Sequence, residues 1–408
     1  MGSAVPAIQR KSPPTLLQVQ CTYIYFCSVY RYGVHLSKEE VARLVAPHPN
    51  TLELIYSWLS HHGVPWSSIS TTYSDGWLTL TGVPVSQANQ LLGASYEFYR
   101  HAGTNDSTIL RTISYALPAV LHSHVQTVAP TTYFTSIRTL RQTAPRPSIE
   151  ATVAPAKVGS RGPVTVTPRG PDIANVVTPE FLRWLYKTIA YEPAAIGRNK
   201  LGIVGLGDEY PSPTDLAEFM TIFRKDAIAA TFTVEYVNDG GYDETRPGEE
   251  ANLNVQYAQA MAYPTPHIFY STGGRFLWTL SSGKPAPGDA MLTLLNHLLN
   301  QTNIPQTISI SYGVEETAVP LEYAMAVCNK FSELGARGVS VLFASGDNGV
   351  GAGKCRVKDS SGRPRVQFIP MFPASCMCDF SSLAGSSIQT RAHAVPTTYS
   401  RFRRSLCH

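Results

Sequence analysis

The second half of the chain alternates between short apolar runs and stretches of helical spacing, and this alternation constrains the fold more than any other feature. Short apolar runs predict strands, and apolar residues recurring every three or four positions predict helices. Strands that alternate with helices imply an α/β fold, a parallel sheet covered on both faces. We predict strands at 201–206, 231–237, 267–271, 307–312 and 339–344, and helices at 212–225, 249–261, 289–300 and 319–335.

Composition narrows the class of protein. The 408 residues carry 33 Lys+Arg against 29 Asp+Glu, a net charge of +4, which argues against a chain built mainly to hold nucleic acid. The 43% of hydrophobic residues suffices for a large core, yet no apolar run approaches the ~18 residues of a membrane helix. We expect a globular monomer of about two to three domains, with neither nucleic acid nor membrane as partner.

A small α+β unit precedes the alternating region. Ser37 and Glu40 have the spacing of a capping box, which starts a helix by pairing each side chain with the other residue's amide. Residues before Gly33 have little pattern, so we expect order to begin there. The predicted organisation is an N-terminal segment 1–33, a small domain 34–130, a linker 131–177, a large domain 178–376 and a polar tail 377–408.

The linker has a distinct composition. Residues 131–170 hold five prolines and six Lys/Arg but one acid, Glu150, and show no sustained periodicity. Such a segment is typical of a flexible connection between domains. It is also a suitable substrate for proteolytic processing, because exposed irregular segments are where proteases cut.

Three groups of residues are candidates for a catalytic or binding site. Glu250 and Asn254 are four residues apart on one predicted helix face, where a carboxylate can act as a general base or simply complement the helix dipole. Asp347 lies in the glycine-rich loop 345–353, after the last predicted strand, where α/β active sites are found; a mobile loop is the alternative. Ser311 and Gly313 end a strand whose backbone could pair with an extended peptide, or which simply terminates there.

Other classes of site are disfavoured. The loop 345–353 lacks the Gly-Lys-Ser/Thr ending of a phosphate-binding loop, and the run 202–207 departs from the dinucleotide-binding glycine pattern. The seven cysteines have irregular spacing, and Cys376-Met-Cys378 is not a zinc-binding pair, although one or two disulfides are compatible with secretion. The N-terminus contains no readable signal peptide.

Taken in order, several segments resemble the sedolisin (serine-carboxyl peptidase) family, in particular its fungal secreted tripeptidyl peptidases. The resemblance covers roughly residues 33–376. It is carried by His35-Leu-Ser-Lys-Glu-Glu-Val41, Gly82-Val-Pro-Val-Ser-Gln-Ala-Asn89, Glu250-Ala-Asn-Leu-Asn-Val-Gln-Tyr257, Pro264-Thr-Pro-His-Ile-Phe-Tyr-Ser-Thr-Gly-Gly274, Ser309-Ile-Ser-Tyr-Gly313, Leu342-Phe-Ala-Ser-Gly-Asp347 and Phe372-Pro-Ala-Ser-Cys376.

The resemblance implies a zymogen with an N-terminal propeptide domain, a basic linker cut on activation, and a subtilisin-like catalytic domain. It also implies secretion, an acidic working pH, and the release of tripeptides from the free N-termini of polypeptides, or internal cleavage. The chain's partners would be its polypeptide substrate and its own propeptide domain. The family binds calcium near the end of the catalytic domain, beyond the matched stretch, so we expect the calcium ligands to be absent from this chain.

Family roles can be transferred residue by residue. A serine attacks the peptide carbonyl, a glutamate acts as base, an aspartate one helical turn later supports it, and another aspartate donates to the oxyanion. Glu250 matches the base and Asp347 the oxyanion residue, while Asn254 occupies the supporting position; Ser311 and Gly313 are the expected substrate-binding residues. An amide cannot share a proton, and in the Ser-His-Asp triad the comparable Asp-to-Asn change costs roughly 10⁴ in rate.

The nucleophile is the larger departure. The family serine lies in a Gly-Thr-Ser segment beyond the Phe-Pro-Ala-Ser-Cys stretch, and no Gly-Thr-Ser occurs in this sequence. We therefore expect a C-terminally truncated precursor that is inactive as this chain. One alternative is a non-catalytic remnant that binds peptides or inhibits an active relative through domain 34–130; another is a nucleotide-binding α/β protein.

Overall fold

The structure is a computed structural model that describes residues 7–10, 33–72, 74, 76–100, 108–132, 134, 138–139, 177–206, 209–273, 289–346, 356–358, 361–366 and 369–376. The tail 377–408 and most of the predicted linker lie outside the described residues, as does Asp347.

The N-terminal part forms an α+β unit with its own buried core. Four strands make an antiparallel sheet in the order β2-β3-β1-β6, and β4 and β5 form a separate hairpin. Its elements are β1 (Ala7–Arg10), α1 (Lys38–Val45), α2 (Pro49–His61), β2 (Ile69–Thr71), β3 (Trp77–Leu80), α3 (Val85–Leu92), β4 (Glu97–Arg100), β5 (Thr108–Arg111) and β6 (Val125–Ala129).

Local signals in this unit are confirmed at its first helix. The hydroxyl of Ser37 accepts the backbone N–H of Glu40 at 3.2 Å, and the Glu40 carboxylate accepts the N–H of Ser37 at 2.7 Å. Both donors would otherwise lack a partner at the helix start. The expectation that order begins near Gly33 is wrong, because β1 lies between β3 and β6 in the sheet. A four-residue strand has no periodicity of its own, and its partners are far away in the sequence.

The second part of the chain contains the remaining elements. They are β7 (Arg138–Thr139), α4 (Pro179–Leu185), β8 (Leu201–Leu206), α5 (Pro213–Phe223), β9 (Phe232–Val237), α6 (Glu249–Ala262), β10 (His267–Thr272), α7 (Ala290–Asn300), β11 (Thr307–Ile310), β12 (Tyr312–Glu315), α8 (Leu321–Ala336), β13 (Ser340–Phe343), β14 (Arg356–Lys358), β15 (Pro364–Val366) and β16 (Met371–Phe372).

A five-stranded parallel sheet organises this part, in the order β13-β11-β8-β10-β9. Residues of α5 and α6 pack on one face around Ile203 and Phe269, and residues of α7 and α8 pack on the other around Val204 and Tyr270. Ile203 and Val204, which are neighbours in β8, thus pack into the cores on opposite faces of the sheet, because successive side chains of a strand point to opposite faces. The predicted α/β fold, a parallel sheet with helices on both faces preceded by a small α+β unit, is confirmed.

One predicted strand is divided in two. The pattern predicted a single strand over 307–312, but β11 ends at Ile310 and β12 begins at Tyr312. While β11 stays in the parallel sheet, β12 belongs to a second, three-stranded sheet in the order β16-β12-β7. Ser311 therefore lies at the junction of two sheets, which an uninterrupted apolar pattern does not reveal.

The N-terminal unit contacts α7 and α8 through buried side chains and hydrogen bonds. Trp77, at the start of β3, is 4% exposed and belongs to the same buried cluster as the residues of α7 and α8. Leu36 donates its backbone N–H to the carbonyl of Ala336 at 2.9 Å. The ammonium of Lys38 donates to the backbone carbonyl of Asn300 at 2.5 Å and to its side-chain oxygen at 2.8 Å.

A disulfide joins Cys328 on α8 to Cys376, with their Cα atoms 5.3 Å apart. The sequence permitted bridges but did not assign this pair. In the part of the chain that the structure describes, no helix is long and apolar enough to cross a membrane.

Candidate active site

Four of the predicted site residues lie in the described part of the chain. Glu250 and Asn254 lie on the first turns of α6, and Ser311 and Gly313 lie at the end of β11 and in β12. Helix α6 follows β9, so its first turn lies at the carboxyl edge of the parallel sheet, where Ser311 also lies. This is the edge at which α/β proteins place their ligands.

The start of α6 is held against the chain that leaves β8. Gly248 donates its backbone N–H to the carbonyl of Tyr210 at 2.9 Å, and Tyr210 forms a β-bridge with Pro247. The side chain of Glu209 lies directly on Gly248, because a Cβ added there would be 2.7 Å from the Cβ of Glu209 and 2.8 Å from its Oε2. The helix start that carries Glu250 is thereby fixed.

A second set of contacts fixes the rotation of α6. Asn252 accepts the backbone N–H of Ser212 with its Oδ1 at 2.7 Å and donates its Nδ2 to the carboxylate of Asp215 at 2.6 Å. Ser212 and Asp215 begin α5, so the two helices are joined at their N-terminal ends. With Asn252 turned to α5, residues 250 and 254 share another face of the helix.

That other face reaches the junction between the two sheets. The hydroxyl of Ser311 donates to the Oδ1 of Asn254 at 3.0 Å. The next residue, Tyr312, is buried, and its hydroxyl accepts the backbone N–H of Leu206 at 3.0 Å while donating to the Leu206 carbonyl at 3.2 Å. Tyr312 thus anchors the junction to the end of β8 and holds Ser311 against Asn254. The sequence had placed Tyr312 in the motif but assigned it no such role.

The backbone next to Ser311 is paired with an extended segment of the same chain. Strand β7 lies antiparallel to β12, with Tyr312 opposite Thr139 and Gly313 opposite Arg138. The segment comes from the basic linker, whose sequence carries no strand signal. No local pattern could have identified it, because the pairing joins residues about 170 positions apart and uses the backbone alone.

The predicted oxyanion residue, Asp347, lies outside the described residues, so its role stays a prediction. The described chain before it runs to Gly346. Strand β13, which leads to this loop, pairs in parallel with β11, Phe343 lying opposite Ile310, and Ala344 donates its N–H to the Ile310 carbonyl at 3.1 Å. The loops that carry Ser311 and Asp347 therefore leave neighbouring strands at the same edge.

The family resemblance also raises the question of a calcium site. Among the described residues, no three His, Cys, Asp or Glu side chains come together in a way that could hold a metal ion. The expectation that the family's calcium ligands are absent from this chain stays a prediction.

Comparison with known proteins identifies relatives of both parts of the chain. The family model of the pro-kumamolisin activation domain matches residues 28–134. Probable tripeptidyl-peptidase SED3 of Trichophyton verrucosum is 33% identical over 356 residues, which is 85% of this chain and 56% of that protein. Tripeptidyl-peptidase SED2 of Arthroderma otae is 32% identical over 395 residues, 94% of this chain and 63% of that protein. The chain thus spans somewhat over half the length of these relatives.

Two further points follow from the comparisons. The alignment that covers 94% of the chain extends beyond residues 33–376, the range over which the resemblance was found from the sequence. Among solved structures, Pseudomonas sedolisin, a serine-carboxyl proteinase complexed with two molecules of pseudo-iodotyrostatin, overlaps 50% of this chain and 52% of its own at 17% identity and a TM-score of 0.33. At that level of overlap the similarity adds nothing to the sequence matches.

Proposed function

The chain belongs to the sedolisin family, and from that premise we propose that it is the precursor of a serine-type tripeptidyl peptidase that holds an extended polypeptide along β12. Strand β12 then serves as the substrate-binding strand, with Ser311 and Gly313 at its start. The proposal extends to a secreted zymogen that works at acidic pH, as the family resemblance implies.

One observation carries this proposal. The backbone of Tyr312 and Gly313 pairs antiparallel with Arg138 and Thr139, so β12 accepts an extended peptide beside the helix that bears Glu250. Backbone pairing of this kind binds peptides with little dependence on their side chains, which suits an enzyme that acts on many polypeptides. The occupying segment belongs to the linker that follows the propeptide domain, and its presence blocks the strand against other peptides.

The chemistry assigned to the site follows from its residue types. Glu250 would accept the proton of an attacking hydroxyl, which requires the carboxylate form. Asp347 would donate a hydrogen bond to the oxyanion, which requires the protonated form and therefore favours low pH. The sequence contains no Gly-Thr-Ser segment to supply the hydroxyl, and Asn254 cannot share a proton with Glu250. We infer that the chain as given holds a peptide without cleaving it.

Binding to β12 can be tested on the intact chain with a fluorescent, extended hexapeptide that has a free N-terminus. Thr139→Pro removes a backbone N–H and restricts the strand backbone, so it should release β7 and raise the affinity for the hexapeptide about tenfold, by freeing an occupied site. Arg138→Ala changes only a side chain of the same strand and should alter the affinity little. Equal affinity in the wild type, Thr139→Pro and Gly313→Pro would refute binding on β12.

Turnover is a separate measurement. A peptide with a reporter group after its third residue, incubated with the chain at pH 4.5, should release no reporter. Release that disappears in Glu250→Ala would show that the chain is an active peptidase and that its inferred inactivity is wrong. Release that persists in Glu250→Ala comes from a contaminating protease and leaves the chain itself inactive.

A second candidate function is inhibition of an active relative by the N-terminal unit. It is favoured by two buried residues of that unit. Trp77 belongs to the same buried cluster as residues of α7 and α8. The positive charge of Arg111 lowers the pKa of Asp289, the residue that caps α7. Adding residues 1–132 to an active tripeptidyl peptidase should slow its turnover, and Trp77→Ala should weaken that inhibition. If the wild-type fragment and its Trp77→Ala variant slow turnover equally, the contact made by Trp77 does not cause the inhibition.

A further inference from the structure

The contact between Ser311 and Asn254 links the peptide-holding strand to the helix turn that carries Glu250. The Ser311 hydroxyl donates to the Asn254 Oδ1 at 3.0 Å, and both residues are partly buried. Ser311 directly precedes the two residues that pair with β7, and Asn254 lies one helical turn after Glu250. A peptide on β12 therefore rests on a strand that is preceded by Ser311, the residue hydrogen-bonded to Asn254 of α6.

Neither side chain of this link titrates. A hydroxyl and a carboxamide keep the same charge and the same hydrogen-bonding groups throughout the range from pH 4 to pH 8. An aspartate at position 254 would behave differently, because it would face Glu250 on the same helix turn. Two close carboxyls do not both ionise at low cost, so they share a proton in acid and repel each other at neutral pH.

Two other acids lie near the start of this helix. Glu249 lies beside Glu250 on α6, and the side chain of Glu209, which follows β8, packs on Gly248 at the helix start. Asp347, from the loop after β13, lies outside the described residues. A further carboxylate at 254 would join a site already supplied with acids by two elements, whereas an amide adds no charge.

We propose that Asn254 is a positioning residue that, with Ser311, makes the holding of an extended peptide on β12 insensitive to pH. This rests on the proposed function of β12 and adds a condition to it: the chain keeps its strand occupied at neutral pH as firmly as in acid.

Hydrogen exchange of the intact, full chain tests this inference. Protection factors, each referred to an unstructured peptide at the same pH, are measured for the amides of β12 and β7 at pH 4.5 and pH 7.5. In the wild type, the protection of β12 and β7 relative to that of α7 and α8 should be the same at both pH values. Asn254→Asp should match the wild type at pH 4.5 and lose about 3- to 10-fold of this protection at pH 7.5, where repulsion from Glu250 would turn the introduced carboxylate away from the Ser311 hydroxyl and break that hydrogen bond.

Two variants separate this role from a general loss of stability. Gln256→Glu introduces a carboxylate on the same helix two residues away and should leave the pH dependence of β12 unchanged. Ser311→Ala removes the donor and should lower protection of β12 by a similar factor at both pH values, because nothing in the remaining contact titrates. Protection of α7 and α8 in each variant shows that the domain remains folded.

The outcomes distinguish this inference from the function on which it rests. If β12 and β7 are unprotected in the wild type, the strand is not occupied and the proposed peptide-holding function fails. If they are protected in the wild type but Asn254→Asp responds equally at both pH values, the peptide is held and only the role of Asn254 is overturned. A wild type in which protection of β12 and β7 falls between pH 4.5 and pH 7.5 relative to that of α7 and α8 also overturns it.

Discussion

The hydroxyl of Tyr323 donates to the carboxylate of Asp289 and lies 3.0 Å from each of its two oxygens. Asp289 also accepts the backbone N–H of Leu292 at 2.8 Å and so caps α7. Burial raises the pKa of Asp289 to about 6, against the lowering effect of the Leu292 N–H, the Tyr323 hydroxyl and the positive charge of Arg111. Arg111 comes from the N-terminal unit, so an acid of the large domain is balanced in part by a cation of the propeptide.

Asp289 should make the protein less stable at neutral pH than in weak acid. Its pKa is higher in the folded chain than the roughly 3.9 of an unfolded aspartate, so the folded state holds the proton more tightly. The resulting stability is fully present below pH 4 and is lost as the pH rises through 6, by roughly 3 kcal/mol if the shift acts in full. The free energy of unfolding of Asp289→Asn, measured with urea, should therefore fall less between pH 4 and pH 7 than that of the wild type.

A control for this prediction is Asp226→Asn. The side-chain hydrogen bond from Arg224 lowers the pKa of Asp226, so that residue contributes its pH dependence below pH 4, outside the window. The free energy of unfolding of Asp226→Asn should change between pH 4 and pH 7 by as much as that of the wild type. If Asp289→Asn also shows the wild-type change, the pH dependence does not come from Asp289.

Gly248 should be required for the close packing of Glu209 at the start of α6. An added Cβ would lie 2.7 Å from the Cβ and 2.9 Å from the Cγ of Glu209, closer than these atoms can approach. Gly248→Ala should therefore destabilise the domain by about 1–2 kcal/mol, by forcing the loop after β8 to move. Glu209→Gly removes the obstructing Cβ, so Gly248→Ala should cost much less in the Glu209→Gly background than in the wild type. Additive losses in urea unfolding would exclude this clash as the cause.

The bridge between Cys328 and Cys376 should stabilise the large domain. It closes a loop of 48 residues in sequence separation, for which chain entropy predicts roughly 4 kcal/mol. Reductant should lower the urea midpoint of the wild type and leave that of Cys328→Ser/Cys376→Ser unchanged. A reductant effect of equal size in both proteins would assign the stabilisation to another cysteine pair.

Lys330 and Glu333 form a buried ion pair on α8, 2.9 Å apart, with side chains 3% and 4% exposed. Lys330→Met should cost roughly 3–5 kcal/mol, because it leaves the Glu333 carboxylate buried without its cation. Lys330→Met/Glu333→Leu should restore most of the stability. Arg246 and Asp243 have the same spacing, but Arg246 is 81% exposed, so Arg246→Met should change stability little. Equal losses in the two single variants would contradict the dependence on burial.

Much of the fold was predictable because its signals are local. Periodicity located the strands and helices of the parallel sheet, and the Ser37–Glu40 capping box formed as its spacing required. The shared face of Glu250 and Asn254 also followed from the sequence, because two residues four positions apart on a helix lie together whatever surrounds them. The same reasoning misplaced the end of β11, where the apolar pattern continues but the strand changes sheets at Ser311.

What the sequence determined by itself was the set of elements and the residue types at their ends, since each depends on contacts between close neighbours in the chain. Tertiary structure alone decided that β1 enters the first sheet, that β7 lies on β12, that Cys328 pairs with Cys376, and that Ser311 meets Asn254. Each of these joins segments far apart in sequence through backbone groups or short side chains that most residues could supply. Such pairings leave no local trace, because they are selected by the shape of the folded chain.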